Sequence, residues 1–299
     1  MATFKTWMKA ARPRTVLLSF SGILMGAFLA IAAGQCRPWV FVFAALTGVL
    51  LQIVSNLAND YGDFKKGLDS AGRIGPQRGM QSGAITDREM RVAIAVTGFI
   101  TLLLGAVLVL FVSDLNKNGI LVFLALGMLA LLAALLYTLG KHPYGYYGLG
   151  DVFCFLFFGM VAVAGTYYLA SHMVDWSIIL PASAMGFLSN AVLNINNMRD
   201  VGNDRANGKR TLVVKIGSKN AFVYHVLLIV MAFLFLTLFL ILHHTPWYTY
   251  LFWIVFPLFL HDLIGIKKTA DLKQLDPYLG RQVRNTFFLT LAFGILVVL

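Results

Sequence analysis

The chain has 299 residues, 59% of them hydrophobic and only 12% charged, with a formal net charge of +11 and a mean hydropathy of +0.78. A soluble core of this length cannot bury so much apolar surface, so the bilayer is the expected solvent and a water-soluble globular enzyme is excluded. The positive charge does not point to nucleic acid, because the basic residues sort by loop instead of clustering on one soluble face.

In chain order, apolar stretches run at 15–33, 39–58, 92–113, 119–140, 152–171, 176–198, 221–242 and 248–266, and a shorter ninth at 285–299. Each of the first eight is near the roughly 20 residues that a spanning helix needs. The expected fold is all-α, a polytopic bundle of about nine transmembrane helices in a single domain over 1–299. The first stretch is too long for a secretory leader and lacks a cleavage site before Gly34-Gln35-Cys36-Arg37, so it reads as a retained helix. All 24 basic residues except Arg37 and Lys117 fall in alternate loops, which predicts a cytosolic amino terminus. Cys36 lies outside the membrane and Cys154 within a helix, so the two are not expected to pair.

Two long polar segments, 60–91 and 199–219, fall on the cytosolic side, and function is expected there. Each follows an even-numbered helix that closes in an Asn and Asp series. The second helix ends Asn56-Leu57-Ala58-Asn59-Asp60-Tyr61-Gly62-Asp63, and the sixth ends Asn194-Ile195-Asn196-Asn197-Met198-Arg199-Asp200, continuing to Asp204. Both helices enter from outside, which suggests a parallel internal repeat with halves at about 1–140 and 141–299.

If helix persists through these segments, Asn56, Asp60 and Asp63 share one face, and so do Asn196, Asp200 and Asp204. Carboxylates stacked near hydrocarbon repel one another and require a cation between them. Mg²⁺ is the natural one, because it takes one or two carboxylates and completes its shell with water and phosphate oxygens. Two such clusters facing each other would hold a diphosphate. Asp60, Asp63, Asp200 and Asp204 are therefore the expected metal-binding catalytic residues, with Asp69 a further carboxylate or a pin for the loop. Arg73, Arg78, Lys209 and Arg210 are the expected diphosphate cations. Asn56 is placed with the diphosphate, and Asn59, Asn196 and Asn197 with the substrates. Lys141 and Asp151 flank another cytosolic loop and are expected to touch the acceptor or a loop lid.

The segments Asn59-Asp60-Tyr61-Gly62-Asp63-Phe64-Lys65-Lys66-Gly67-Leu68-Asp69 and Asp200-Val201-Gly202-Asn203-Asp204-Arg205 resemble the two aspartate-rich signatures of the intramembrane aromatic prenyltransferases. Within that superfamily they are most similar to the 1,4-dihydroxy-2-naphthoate polyprenyltransferases of menaquinone synthesis. Ala11-Arg12-Pro13-Arg14-Thr15, Gly75-Pro76-Gln77-Arg78-Gly79-Met80-Gln81-Ser82-Gly83 and Tyr147-Gly148-Leu149-Gly150-Asp151 support the narrower likeness. Five residues separate Asp63 from Asp69, as in the naphthoate branch, where the commonest superfamily spacing is three.

The resemblance implies nine helices around a central cavity open sideways to lipid, with cytosolic loops closing over the diphosphate, in a bacterial inner membrane. It implies Mg²⁺ as cofactor, polyprenyl diphosphate and an aromatic acid as substrates, and transfer to 1,4-dihydroxy-2-naphthoate with decarboxylation. Prenylation of another acceptor such as 4-hydroxybenzoate is the alternative. No nucleic acid and no obligatory protein partner are implied. A cation-coupled transporter would place its acids near the midplane, and a phosphatidyltransferase would open its motif with Asp-Gly followed by Ala-Arg. Neither pattern is present. The external His243-His244 reads as a wet interface position, because adjacent helical residues do not share a face.

Overall fold

The computed structural model describes residues 2–67 and 78–299, and within these the secondary structure is helical. Asp69 and Arg73 lie outside the described residues. A short amphipathic helix α1 (Phe4–Ala11), capped by Thr3, turns its Phe4 and Met8 outward. This is the signature of a segment lying in the interface plane. Arg12 then takes a left-handed backbone conformation, φ 50°, and Pro13 at the first position starts α2 (Pro13–Ala32). A fixed proline φ suits a helix start, whose first N–H groups have no intrahelical partner in any case.

The remaining rods are α3 (Pro38–Lys65), α4 (Asp87–Val112), α5 (Lys117–Leu136), α6 (Gly150–Ser171), α7 (Trp176–Ala206), α8 (Leu212–Leu242) and α9 (Trp247–Lys268), with α10 (Asp276–Val298) last. Helices α2 to α9 are each long and apolar enough to cross a membrane. The 23 residues of α10 extend the predicted stretch toward its amino end by way of Arg281 and Arg284. These polar first turns explain why only the last part of the helix stands out in the sequence.

Starts are set by local chemistry. Thr86 and Glu89 form a reciprocal capping box on α4, and Asn116 accepts from Gly119 N–H at 2.8 Å at the head of α5. Close approach of helices is set by missing side chains. A Cβ on Gly26 of α2 would stand 2.4 Å from the Val163 carbonyl oxygen of α6, and one on Gly159 of α6 would stand 2.6 Å from that of Ala182 in α7. Small residues thus let the backbones of α2, α6 and α7 meet, the usual adhesive between helices in lipid.

The two ends of the chain pack differently. Helices α8, α9 and α10 form a solid block around the fully buried rings of Phe233, Phe252, Phe259 and Phe293. Helices α2 to α7 instead surround a cavity of about 400 Å³. Helix α7 is the most buried rod and divides the solid part from the hollow one.

Candidate active site

Helices α3 and α7 run on past their apolar stretches, so their polar ends stay helical and aim side chains at the cavity. From α3, Asn56, Asn59 and Asp63 line it; from α7, Asn196, Asp200, Asn203 and Asp204. Arg78 and Lys209 reach the same wall from the following loops. Asp60 stands behind that wall. Its carboxylate is closed in an ion pair with Arg12, and Arg78 Nε stands 3.1 Å away as a second cationic neighbour. One helical turn further, Asp63 takes Arg78 Nη1 at 2.9 Å on one oxygen and the Tyr146 hydroxyl at 3.0 Å on the other.

On α7, Arg199 grips Asp200 with two nitrogens, at 2.9 and 2.8 Å, reaches Asp276 of α10, and donates to Asn196 Oδ1 at 2.9 Å. Helix α7 then ends in a Schellman turn. The Gly208 N–H bonds to the Arg205 carbonyl and the Lys209 N–H to that of Asp204 at 2.8 Å, with Gly208 at φ 72°. That reversal returns the Lys209 side chain to its own helix end. Its ammonium lies 3.8 Å from Asp204, and the residue as a whole is 7% exposed.

Burial would depress the Lys209 ammonium. The opposing fields of Asp63 and Asp204 outweigh it and hold the group above its ordinary value. A single lysine therefore feels one carboxylate from each aspartate series. Tyr146 closes the same corner, its ring 5.5 Å from Lys209 Nζ and 4.4 Å from Lys66 Nζ. Burial, then the charge of Asp63, push the Tyr146 phenol upward, so it remains a hydrogen-bond donor at neutral pH. The Tyr146 carbonyl accepts from Arg210 N–H at 2.9 Å and that of Tyr147 from Lys215 Nζ at 2.6 Å, which ties the two loops into one cap.

The other predicted residues sit elsewhere. Lys141 and Arg210 share a small basic basin with Lys66, Tyr146 and Tyr147 on the outer side of the cap. Asp151 is buried, turns away from the cavity and accepts the Tyr224 hydroxyl at 3.1 Å. Asn197 is buried off the cavity with its Oδ1 unpartnered. Several wall residues were not anticipated: Arg12, Thr15, Ser19, Gln52, Tyr137 and Asn203. Gln52 carried a signal, being an amide inside an apolar stretch, where polar side chains serve function or helix contact.

Among the described residues, no group of three or more His, Cys, Asp or Glu forms a metal cage. Paired carboxylates on opposite walls still fit Mg²⁺, which leaves most of its shell to water and phosphate. The buried Asp204 Oδ2 has no hydrogen-bond partner, which leaves its lone pairs for a cation. Each carboxylate already faces a basic side chain, so an incoming diphosphate would have to bring cations of its own.

The family model described as UbiA prenyltransferase family matches residues 19–291. The 1,4-dihydroxy-2-naphthoate octaprenyltransferase of Escherichia coli (strain K12) is 43% identical over 290 residues, 97% of this chain and 94% of that protein. The protein of the same name from Haemophilus influenzae is 39% identical over 293 residues, 97% and 95% of the two chains. The solved structure of a UbiA homolog from Archaeoglobus fulgidus bound to DMAPP and Mg²⁺ superimposes with a TM-score of 0.66 at 16% identity, covering 98% of this chain and 99% of that one. At that identity the likeness speaks for the fold.

Proposed function

Because the chain belongs to the UbiA prenyltransferase family, we propose that it is a membrane-embedded, Mg²⁺-dependent transferase. In this reading it moves a polyprenyl group from its diphosphate to 1,4-dihydroxy-2-naphthoate, with decarboxylation, to give demethylmenaquinol, which a separate two-electron oxidation converts to demethylmenaquinone. The observation that carries the reading is Lys209, held in the joint field of Asp63 and Asp204 at the mouth of a largely apolar cavity. Relatives named for this acceptor and for octaprenyl transfer support the substrate pair. The homolog bound to DMAPP and Mg²⁺ supports the metal.

Asp63, Asp200 and Asp204 would hold the metal, with Asp60 behind them. When bound, Mg²⁺ neutralises diphosphate oxygens and so makes the diphosphate a better leaving group. Lys209 and Arg78 face the same space and stabilise the charge that grows on the leaving group. The Tyr146 cap and the apolar wall exclude water, which would otherwise capture the carbocation.

The bond from C1 of the chain to the diphosphate oxygen breaks, and its electron pair leaves with the diphosphate. A pair from the electron-rich ring then forms the new carbon–carbon bond to the allylic cation. Loss of carbon dioxide returns the electron pair of the carboxylate bond to the ring.

The cavity also fits a substrate larger than itself. A void of roughly 150 Å³ accepts one benzene ring, so about 400 Å³ takes the acceptor and the first isoprene units only. Among the lining residues, those also exposed on the outer surface are Leu124, Gly127 and Met128, all on α5. The tail leaves there into lipid. The charge bias of the loops supports an amino terminus and a site on the cytoplasmic side.

The test is purified protein offered 1,4-dihydroxy-2-naphthoate and 4-hydroxybenzoate with a ladder of prenyl diphosphates, with Mg²⁺ and with chelator. Metal-dependent prenylation of the naphthoate is expected. Prenylation of the benzoate alone would replace the acceptor, and no prenylation of either would overturn the reading.

A further inference from the structure

Below the aspartates, the cavity wall shared by α2 and α3 carries polar side chains that no step above employs. Thr15, Ser19, Gln52 and Asn56 all line it, with Ser19 and Gln52 8% exposed and Asn56 2%. They form one network. Ser19 donates to Gln52 Oε1 at 2.9 Å, and Gln52 Nε2 to Asn56 Oδ1 at 3.0 Å and to Thr15 Oγ1 at 3.4 Å. Asn56 Nδ2 donates to the Ala11 carbonyl at 2.8 Å and to Thr15 Oγ1 at 2.9 Å, and Thr15 donates to the Arg12 carbonyl at 3.0 Å.

Counting donors and lone pairs gives this wall a definite polarity. Every side-chain N–H and O–H of the four is already committed, and Thr15 Oγ1 accepts twice. What stays open toward the cavity are lone pairs on Ser19 Oγ, Gln52 Oε1 and Asn56 Oδ1. Such a surface takes a neutral hydroxyl donor and repels a carboxylate. Polar groups in a membrane bundle also serve as glue between helices, and these do bridge α2 to α3. Glue alone does not require all four to face a cavity, where their acceptors go unpaired unless a donor arrives.

We propose that this wall, Thr15, Ser19, Gln52 and Asn56, seats the phenolic hydroxyl of the aromatic acceptor. The inference rests on the reading of the chain as an aromatic prenyltransferase. Asn56 precedes Asp63 by two helical turns, roughly 10 Å along the axis, which leaves space for the ring between the seat and the allylic carbon. With the hydroxyl in the seat, the acid group of the acceptor points away from the lone pairs and toward the basic end of the cavity. In 1,4-dihydroxy-2-naphthoate, the 1-hydroxyl can bond its neighbouring carboxylate, so the 4-hydroxyl is the donor left for the seat. A hydroxyl becomes more acidic as its ring gives up electrons, so this bond strengthens on the way to the transition state.

The experiment compares binding of 1,4-dihydroxy-2-naphthoate with that of 1-hydroxy-2-naphthoate, which lacks the 4-hydroxyl. It uses the full chain in lipid nanodiscs under anaerobic conditions, with Mg²⁺ and geranyl diphosphate affinity measured in parallel. Wild type is expected to prefer the dihydroxy acid by about tenfold. Gln52→Met and Ser19→Ala are expected to bring that ratio close to one and to leave the affinity for geranyl diphosphate unaltered. Equal binding of the two acids by wild type, or an unchanged ratio in both variants, overturns the seat and leaves the transferase reading standing. Wild-type protein that binds geranyl diphosphate but neither acid overturns both. Should Gln52→Met fail to fold, Ser19→Ala carries the test, because it removes one small side chain and leaves the amide bridge between α2 and α3 in place.

Discussion

Tyr146 donates its hydroxyl to Asp63 at 3.0 Å, and this bond fastens the loop after α5 onto the end of α3. Asp63 thus meets the cap and the cavity at once. Tyr146→Phe keeps the ring under Lys209 and Lys66 but removes the bond. About a tenfold loss in kcat is expected, with the protein still inserted, measured as prenyl transfer in washed membranes. A variant with the rate of wild type would separate the cap from the chemistry.

Substituting the carboxylates tests the metal assignment directly. Asp200→Ala and Asp204→Asn should each lower transfer by at least roughly a hundredfold, while leaving the amount of membrane-inserted protein unchanged. Turnover near that of wild type would remove the substituted residue from the mechanism. Chelator should abolish activity in the parent protein, and added Mg²⁺ should restore it.

Lys209 separates charge from shape. Its ammonium is buried against Asp204 and held by the fields of both aspartate series. Lys209→Met retains the length and removes the charge, which leaves Asp63 and Asp204 less compensated. The expected result is a rise of about tenfold or more in KM for the prenyl diphosphate together with a fall in kcat. The KM for the aromatic acid should rise much less, as read by varying one substrate at a time.

Gly127 tests the proposed exit of the tail. A Cβ there meets nothing within 4 Å, so a larger side chain fits without moving its neighbours and projects into the opening. Gly127→Leu should lower transfer from octaprenyl diphosphate by about tenfold and that from geranyl diphosphate much less. A parallel loss for both chain lengths would place the exit elsewhere.

Gly26 bears on stability instead of chemistry. Its Cβ would stand 2.4 Å from the Val163 carbonyl oxygen and 2.9 Å from the Thr166 Cβ, and neither neighbour is the free end of a flexible chain. Gly26→Val should force α2 and α6 apart at a cost of about 1–3 kcal/mol. The measurement is a lowered Tm in detergent.

The amino-acid sequence determined the class of solvent, the helical fold and the two aspartate series, because these depend on composition and on spacing along one helix. Hydrophobic length marks a span wherever it occurs, and residues one turn apart share a face in any α-helix. The amino-terminal half of α10 escaped, since Arg281 and Arg284 break its apolar run. What the tertiary structure decided is which groups share a space. It set Asp60 behind the wall with Arg12, turned Asp151 to Tyr224, and sent Lys141 and Arg210 to the outside of the cap. It also brought Lys209 within reach of carboxylates from both series and joined Ser19 to Gln52 across two helices. Those relations arise from the packing angles of separate helices and the reversal at Gly208, and no local pattern in a chain encodes the distance between residues on different rods.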